Sequence, residues 1–405
     1  MLQSLLNLRL GAWLSAAAMG TTLLASCATE AEEVAPATAA NSTEIKAAEA
    51  PLAGRYIVVL KDASVELGAG EEYSQRGQKV KGFAEGLLRK RGLRPEKVRR
   101  TYNQLLRGFA AELTPAEAKQ LAQDASVAFV EPDQIIRVEQ TTGTTTAAPA
   151  QTVPYGVKRV GYASGVGKTA WIIDTGIDLT HPDLTVDVAR SRSFVSTGAD
   201  ATTADDLHGH GTHVAGTIAA KNNTIGVVGV AAGARVVAVK VLGSDGSGSS
   251  SGVIAGIDYV SAFYKSGEVV NMSLGGGVSQ ALDDAVLRAA NKGMLLSVAA
   301  GNDAKSATLH SPARVNHPNV FTISAMSSTD SWAPFSCFGT PPVDYCMPGV
   351  AIASTYKDGL YGTMSGTSMA APHMAGVLLL RGKAFTRSGY VKGDPDGKPD
   401  PIAHL

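Results

Sequence analysis

AWIIDTGID, residues 170–178, decides the fold. Four apolar residues, Ala170 to Ile173, run without a polar interruption and stop at Asp174-Thr175-Gly176. A short apolar run closed by a turn predicts a strand buried on both faces, as in a parallel sheet covered by helices. Similar runs recur at 236–241, 269–272, 295–299 and 320–324, separated by Gly-rich turns and helical stretches. The expected fold class for residues 152–405 is therefore α/β, a parallel sheet flanked by helices. In such sheets the chemistry collects at the carboxyl ends of the strands, which is where Asp174 lies.

The bulk numbers agree with a large globular core: 405 residues, 44% hydrophobic and 18% charged. Lys+Arg and Asp+Glu balance at 36 each, so no global field points to nucleic acid, and partners must be read from sites. Three cysteines, Cys27, Cys337 and Cys346, are too few for a disulfide framework.

Residues 1–26 hold one Arg, then an apolar stretch from Leu10 to Leu24, and read as a signal peptide. Leu24-Ala25-Ser26-Cys27 resembles a bacterial lipobox, which implies that Cys27 is lipidated and ties the chain to a membrane. Residues 27–53, rich in Ala, Glu, Thr and Pro, have little to bury and predict a flexible tether. Residues 54–139 form a first folded unit. RYIVVL at 55–60 is a strand, 73–91 is a helix, and 102–113 is strand-like. Thr114-Pro115-Ala116-Glu117 starts a second helix, with Thr as cap and Glu at the third position. Residues 127–130 and 134–138 are further strand signals. The order β-α-β-β-α-β predicts a small ferredoxin-like α+β sandwich. TTGTTTAAPAQ at 141–151 predicts an exposed linker, with 140–151 as the cleavable stretch.

Three further stretches carry chemistry. DLHGHGTHVAGT at 206–217 puts three histidines within six residues. A zinc site using His208, His210 and His213 is one reading, although no Cys is near and no Glu lies inside the run. SVAAGN at 297–302 ends a strand at Asn302, whose amide is a donor for an oxyanion. MSGTSMAAPH at 364–373 places Ser368 at the start of an apolar helix, beside free N–H groups and the positive end of a dipole. Ser365 and Ser368 are each, alone, compatible with a plain helix cap.

Taken in order, Asp174, His210, Asn302 and Ser368 resemble the motifs of the subtilases, nearest their proteinase K-like branch. The resemblance spans about residues 55–380. It implies a serine endopeptidase with Ser368 as nucleophile, His210 as base, Asp174 as its orienting carboxylate and Asn302 in the oxyanion hole. His213 is then structural and His208 a decoy. RYIVVLK, RGFAAELTPAEAKQL and VAFVEPDQ resemble the inhibitory propeptide of that family, which implies an intramolecular inhibitor and chaperone. VNMSLGGG at 270–277 resembles its substrate-pairing strand, so Ser273, Leu274, Gly275 and Gly276, with Ala300 and Gly301, should line the cleft. The small uncharged wall implies an apolar P1 preference. Pro318, Val320 and Asp344 match a structural calcium site of relatives, with Asp183 a lesser candidate. Cys337 and Cys346 flank a Gly-Thr-Pro-Pro turn and are expected to form a disulfide. Expected partners are protein or peptide substrates and the chain's own propeptide; a monomer without a catalytic cofactor is expected. The rival readings are a catalytically silent binding module and a metal-dependent hydrolase using the three histidines. The segment after Leu380 has no assignment from sequence.

Overall fold

The computed structural model of the protein describes residues 51–138 and 141–405. The signal segment, Cys27 and nearly all of the tether lie outside the described residues. Among the described residues no helix is long and apolar enough to cross a membrane.

The N-terminal unit has the predicted order: β1 (Arg55–Leu60), α1 (Tyr73–Lys90), β2 (Val98–Tyr102), β3 (Gly108–Glu112), α2 (Pro115–Ala122) and β4 (Val127–Pro132). Its antiparallel sheet runs β2-β3-β1-β4, the ferredoxin-like arrangement. The α2 start is a reciprocal capping box: Glu117 N donates to Thr114 Oγ1 (3.3 Å) and Thr114 N to Glu117 Oε2 (2.7 Å). The strand expected over 102–113 is divided, because residues 103–105 turn their N–H groups toward Asp258 of a distant helix. β1 is buried on both sides. Val58 and Leu60 join Phe109 and Leu88 in the unit's own core. Ile57 and Val59 pack into the core of the larger unit that follows. After β4 the chain continues as β5 (Ile135–Arg137) and, beyond residue 140, as β6 (Thr141–Thr146). Neither belongs to the small sheet.

The larger unit is an eight-stranded sheet. Its main strands are β7 (Thr169–Asp174), β8 (Arg235–Lys240), β10 (Val269–Met272), β12 (Leu295–Ala299), β13 (Val320–Met326) and β14 (Val343–Pro348). Two short strands, β9 (Ser247–Ser249) and β11 (Gly275–Gly276), lie outside it. The spatial order is β8-β7-β10-β12-β13-β14, with parallel pairing throughout. Every residue of β7 is buried, and its side chains alternate between two cores. Trp171 and Ile173 face the helices α4 (Ser250–Phe263) and α5 (Gln280–Asn291). Ala170 and Ile172 face α3 (His210–Ala219) and α6 (Thr367–Arg381). Two-sided burial is why these strands read as unbroken apolar runs. Strand order reverses at β7, which opens a crevice at its carboxyl end.

A hairpin, β15 (Ile352–Tyr356) and β16 (Leu360–Ser365), leads into α6. β6 pairs antiparallel with β16, so the stretch expected as a bare linker is a strand with an exposed outer side. The unassigned tail forms a second hairpin, β17 (Thr386–Tyr390) with β18 (Pro401–His404). Val391 and Ile402 anchor it in a small core with Met326 and Cys346. The expected disulfide is absent: Cys337 and Cys346 are both free thiols. The residues between them form no hairpin, because the chain enters β14, which runs parallel to β13. The two thiols thus end in different cores, Cys337 near Ala300 and Ala307, Cys346 beneath the tail. Burial pushes the Cys337 thiol up to about 12 and Cys346 well above its ordinary value.

Candidate functional site

The turn after β7 and the first turn of α3 meet at the crevice. His210 Nδ1 lies 2.7 Å from Asp174 Oδ1, and both side chains are fully buried. The approach requires Gly211: a Cβ there would stand 2.0 Å from Gly176 O. Asp206 organises the junction. It accepts from Thr175 Oγ1 (2.9 Å), from Gly209 N (2.8 Å) and from Thr212 N and Oγ1 (2.9 and 2.6 Å). Thr175 Oγ1 in turn accepts from Gly211 N at 2.9 Å. Buried Lys240 pairs with Asp200 at 2.9 Å and donates to Thr175 O, which pins the turn from behind. Nothing in the motif spacing singled out Asp206; an acid beside a helix start reads only as a cap.

Ser368 is the second residue of α6, 2% exposed, with Oγ 3.2 Å from Ser273 O. Pro372 lies inside the helix and has no N–H to offer Ser368 O. Ser273 Oγ donates to that carbonyl instead, at 2.8 Å. The cleft strand and the serine are therefore bolted together in both directions. Asn302 Oδ1 accepts from Thr367 N (2.8 Å) and Thr367 Oγ1 (3.0 Å), which sets the amide beside the serine's own neighbour. His210 Nε2 is buried without a hydrogen bond, on the side of the ring away from Asp174. The structure thus joins Asp174 to His210, and Asn302 to Thr367 next to Ser368, and the two helices that carry His210 and Ser368 pack on each other.

The other candidates fall elsewhere. His213 Nε2 is engaged with Ile352 O at 2.9 Å, and burial pushes its pKa down to about 3. His208 and His210 rings are 6.4 Å apart. Among the described residues, the group of three metal-type donors is Asp303, His310 and Cys337, not the histidine run. Ser365 Oγ accepts from Ala351 N at 2.8 Å, a structural contact. Asp183 is held by Asn223 Nδ2 (2.7 Å), Val227 N and Tyr361 Oη. Asp344, on β14, accepts from Thr322 N at 2.9 Å; burial, with Asp400 nearby, pushes its carboxyl up to about 7. Val320 opens β13, and Pro318 is exposed in the preceding turn.

The cleft strand has a partner. β5 lies antiparallel between β9 and β11, pairing Ile136 with Gly248 and Gly276, and Arg137 with Ser247 and Gly275. Ile136 is fully buried. A Cβ at Gly276 would stand 2.5 Å from Ile135 O and 2.8 Å from Ile136 Cδ1. Gly276→Val should therefore obstruct any extended chain laid in this groove. A rise of at least ~10-fold in KM for long peptides, with a dipeptide-sized ester unchanged, is the expected result, since the clash touches only remote subsites. Two carboxylates from β4 and the residues after it cap the helices beneath. Glu131 accepts from Ser279 Oγ (2.6 Å) and Gln280 N (3.0 Å) at the start of α5. Asp133 accepts from Ser251 N (2.9 Å) and Ser251 Oγ (2.6 Å) in α4. Each satisfies orphan donors at a helix N-terminus.

Residues 167–387 match the Subtilase family, and residues 55–139 match Peptidase inhibitor I9. The extracellular serine proteinase of Thermus sp. (strain Rt41A) is 36% identical, over 97% of this chain and 92% of that protein. The chain belongs to the subtilase family. It is also 38% identical to alkaline serine exoprotease A of Vibrio alginolyticus, over 81% of this chain and 60% of that protein. The crystal structure of a cold adapted subtilisin-like serine proteinase matches at 38% identity and TM-score 0.54, covering 62% of this chain and 98% of that one. This subtilase is therefore a subtilisin-like serine protease with an N-terminal I9 propeptide domain, and that domain spans β1 to β5. The sequence singled out Asp174, His210, Asn302 and Ser368. It missed Asp206, Glu131, Asp133 and Asp258, whose partners lie 118 or more residues away except for Asp206.

Proposed function

We propose that this subtilase is an endopeptidase made as a self-processing precursor, with Asp174, His210 and Ser368 as its triad. The observation that carries the reading is β5, the protein's own chain, laid as a middle strand between β9 and β11, whose neighbour Ser273 contacts Ser368. A polypeptide substrate would add in the same way, by main-chain hydrogen bonds. Ser368 Oγ attacks the scissile carbonyl, and His210 Nε2 takes its proton and later gives it to the leaving amine. Asp174 holds Nδ1–H and stabilises the imidazolium. The oxyanion is met by the Asn302 amide and by N–H groups at the start of α6. Gaps in apo hydrogen bonding, such as that at His210 Nε2, close when substrate arrives.

β5 pairs with Gly275 and Gly276, and β6 pairs with β16, which ends at Ser365 three residues ahead of Ser368. A cut between Val138 and Thr141 would free the I9 domain from the enzyme. Until it leaves, β5 fills the cleft. Ala300 and Gly301 make a small, uncharged wall, so the enzyme should prefer apolar or aromatic P1 residues, with Ser273, Leu274, Gly275 and Gly276 reading the backbone. A peptide library scanned at P1, with and without a sulfonyl fluoride, checks this. Apolar P1 cleavage lost to the sulfonyl fluoride is expected; a strict Arg or Asp preference, or activity lost only to chelator, defeats it.

Calcium belongs here only as a brace, at Asp344 with carbonyls of Pro318 and Val320. A buried carboxyl raised by its surroundings and by Asp400 is one a hard cation would return to its ionised form. The other roughly three to five oxygens would be carbonyls and waters. No step of hydrolysis passes through the ion. The apolar N-terminal segment fits export, as for the relative named extracellular, and Cys27 would carry the lipid. The enzyme would act as a monomer.

A further inference from the structure

We propose that Asp303, His310 and Cys337 form a site for one zinc-like divalent cation, directly behind the wall of the cleft. The inference does not depend on the proteolytic reading. The three donors come from two segments: Asp303 follows Asn302, His310 ends the same loop, and Cys337 lies beyond β13. Their ligand atoms all lie within 4.8 Å of one another. Asp303 Oδ1 is the centre. It is 2.9 Å from Cys337 Sγ and 3.0 Å from His310 Nε2, so two donors converge on one oxygen. The thiol is held in place by its backbone: Cys337 N donates to Gly301 O at 2.9 Å. A Cβ at Gly301 would stand 2.9 Å from Sγ, so the sulfur rests against the cleft wall itself.

Thiolate, imidazole and carboxylate are the ligands zinc takes, and three of them with a water complete a tetrahedron. Metal–donor bonds of roughly 2.0–2.3 Å place tetrahedral donors roughly 3.3–3.8 Å apart, against 2.9 and 3.0 Å from Asp303 Oδ1 to the sulfur and the imidazole and at most 4.8 Å across the cluster, so shifts of about 1 Å would seat the ion. Cys337 is fully buried, while His310 and Asp303 keep 21% and 15% of their side chains exposed, which leaves a way in for the ion and its water. Lys305 Nζ pairs with the other oxygen, Asp303 Oδ2, at 3.0 Å and leaves the Oδ1 side to the cation. Binding replaces the Cys337 S–H bond by a sulfur–metal bond and releases that proton to solvent. His310 ligates through the Nε2 lone pair, its hydrogen moving to Nδ1. No electron is transferred. The ion would cross-link the loop carrying Asn302 to the segment carrying Cys337.

The test titrates the full chain, kept uncut by Ser368→Ala, with cobalt(II) as the spectroscopic stand-in for zinc. One equivalent should bring up a thiolate-to-cobalt charge-transfer band that zinc then displaces. Cys337→Ser should abolish the band, His310→Gln should weaken cobalt binding at least ~10-fold, and Cys346→Ser should change neither. No band in the parent overturns the site, as does a band that survives Cys337→Ser. Should Cys337→Ser fail to fold by circular dichroism, His310→Gln decides alone, and unchanged cobalt affinity there overturns it.

Discussion

Ser368→Ala leaves the chain joined across residues 138–141 and hydrolyses no peptide, whereas the wild type acquires a new N-terminus at residue 139, 140 or 141. In a subtilisin, loss of the nucleophile costs roughly 10⁶-fold in kcat, and residual turnover comes from the oxyanion donors and binding. The effect is expected to be as large here because Ser368 is tied into the cleft from both sides, through Ser273 O and Ser273 Oγ. Replacing the hydroxyl removes one weak contact and leaves the carbonyl clamp intact, so folding should survive. N-terminal sequencing of the two proteins side by side checks the result. A variant that is still cut at 138–141 in purified form, without added protease, would show that another group performs the cleavage. A wild-type N-terminus inside 147–151 would move the bond off the serine and into the residues beyond β6.

What was legible in the sequence was what lies close in sequence. β7 and the strands after it could be read because burial on both faces leaves uninterrupted apolar runs. His210 and Ser368 could be read because each sits at the start of a helix among small residues that only a close approach requires, as Gly211 against Gly176 O illustrates. The failures share a different cause. Thr141–Thr146 looks like a linker because its side chains have nothing to bury, yet a sheet edge such as β16 bonds the backbone whatever the side chains are. The division of 102–113 into two strands was set by Asp258, more than 150 residues away. The Cys337–Cys346 pairing failed because a short spacing predicts proximity only when a hairpin lies between, and here the second cysteine enters a parallel strand. The tail hairpin, too, is held by Val391 and Ile402, two apolar residues separated by a polar loop.

Asp258→Ala should be the most damaging single change at the contact between the I9 domain and the enzyme. The carboxylate is fully buried in α4 and accepts three backbone N–H groups of the propeptide: Asn103 at 3.0 Å, Gln104 at 2.8 Å and Leu105 at 2.8 Å. Burial pushes its carboxyl up to about 6, so at neutral pH it is ionised and the three bonds are charge-assisted. Alanine would orphan three donors, of which Asn103 and Leu105 are buried in the docked state, at about 1–3 kcal/mol each. In the undocked state water satisfies them. The difference falls on docking, and about 3 kcal/mol corresponds to at least ~100-fold faster loss of the cleaved domain. Activity should then appear with little lag after the cut, as followed by peptide hydrolysis beside size-exclusion chromatography. Asp258→Asn is the graded control: Oδ1 still accepts from Gln104 and Leu105, while an NH₂ group faces Asn103 N, so an intermediate lag is expected. Equal lags in all three proteins would mean that the inhibitory contact is carried by β5 and by the caps at Glu131 and Asp133 instead.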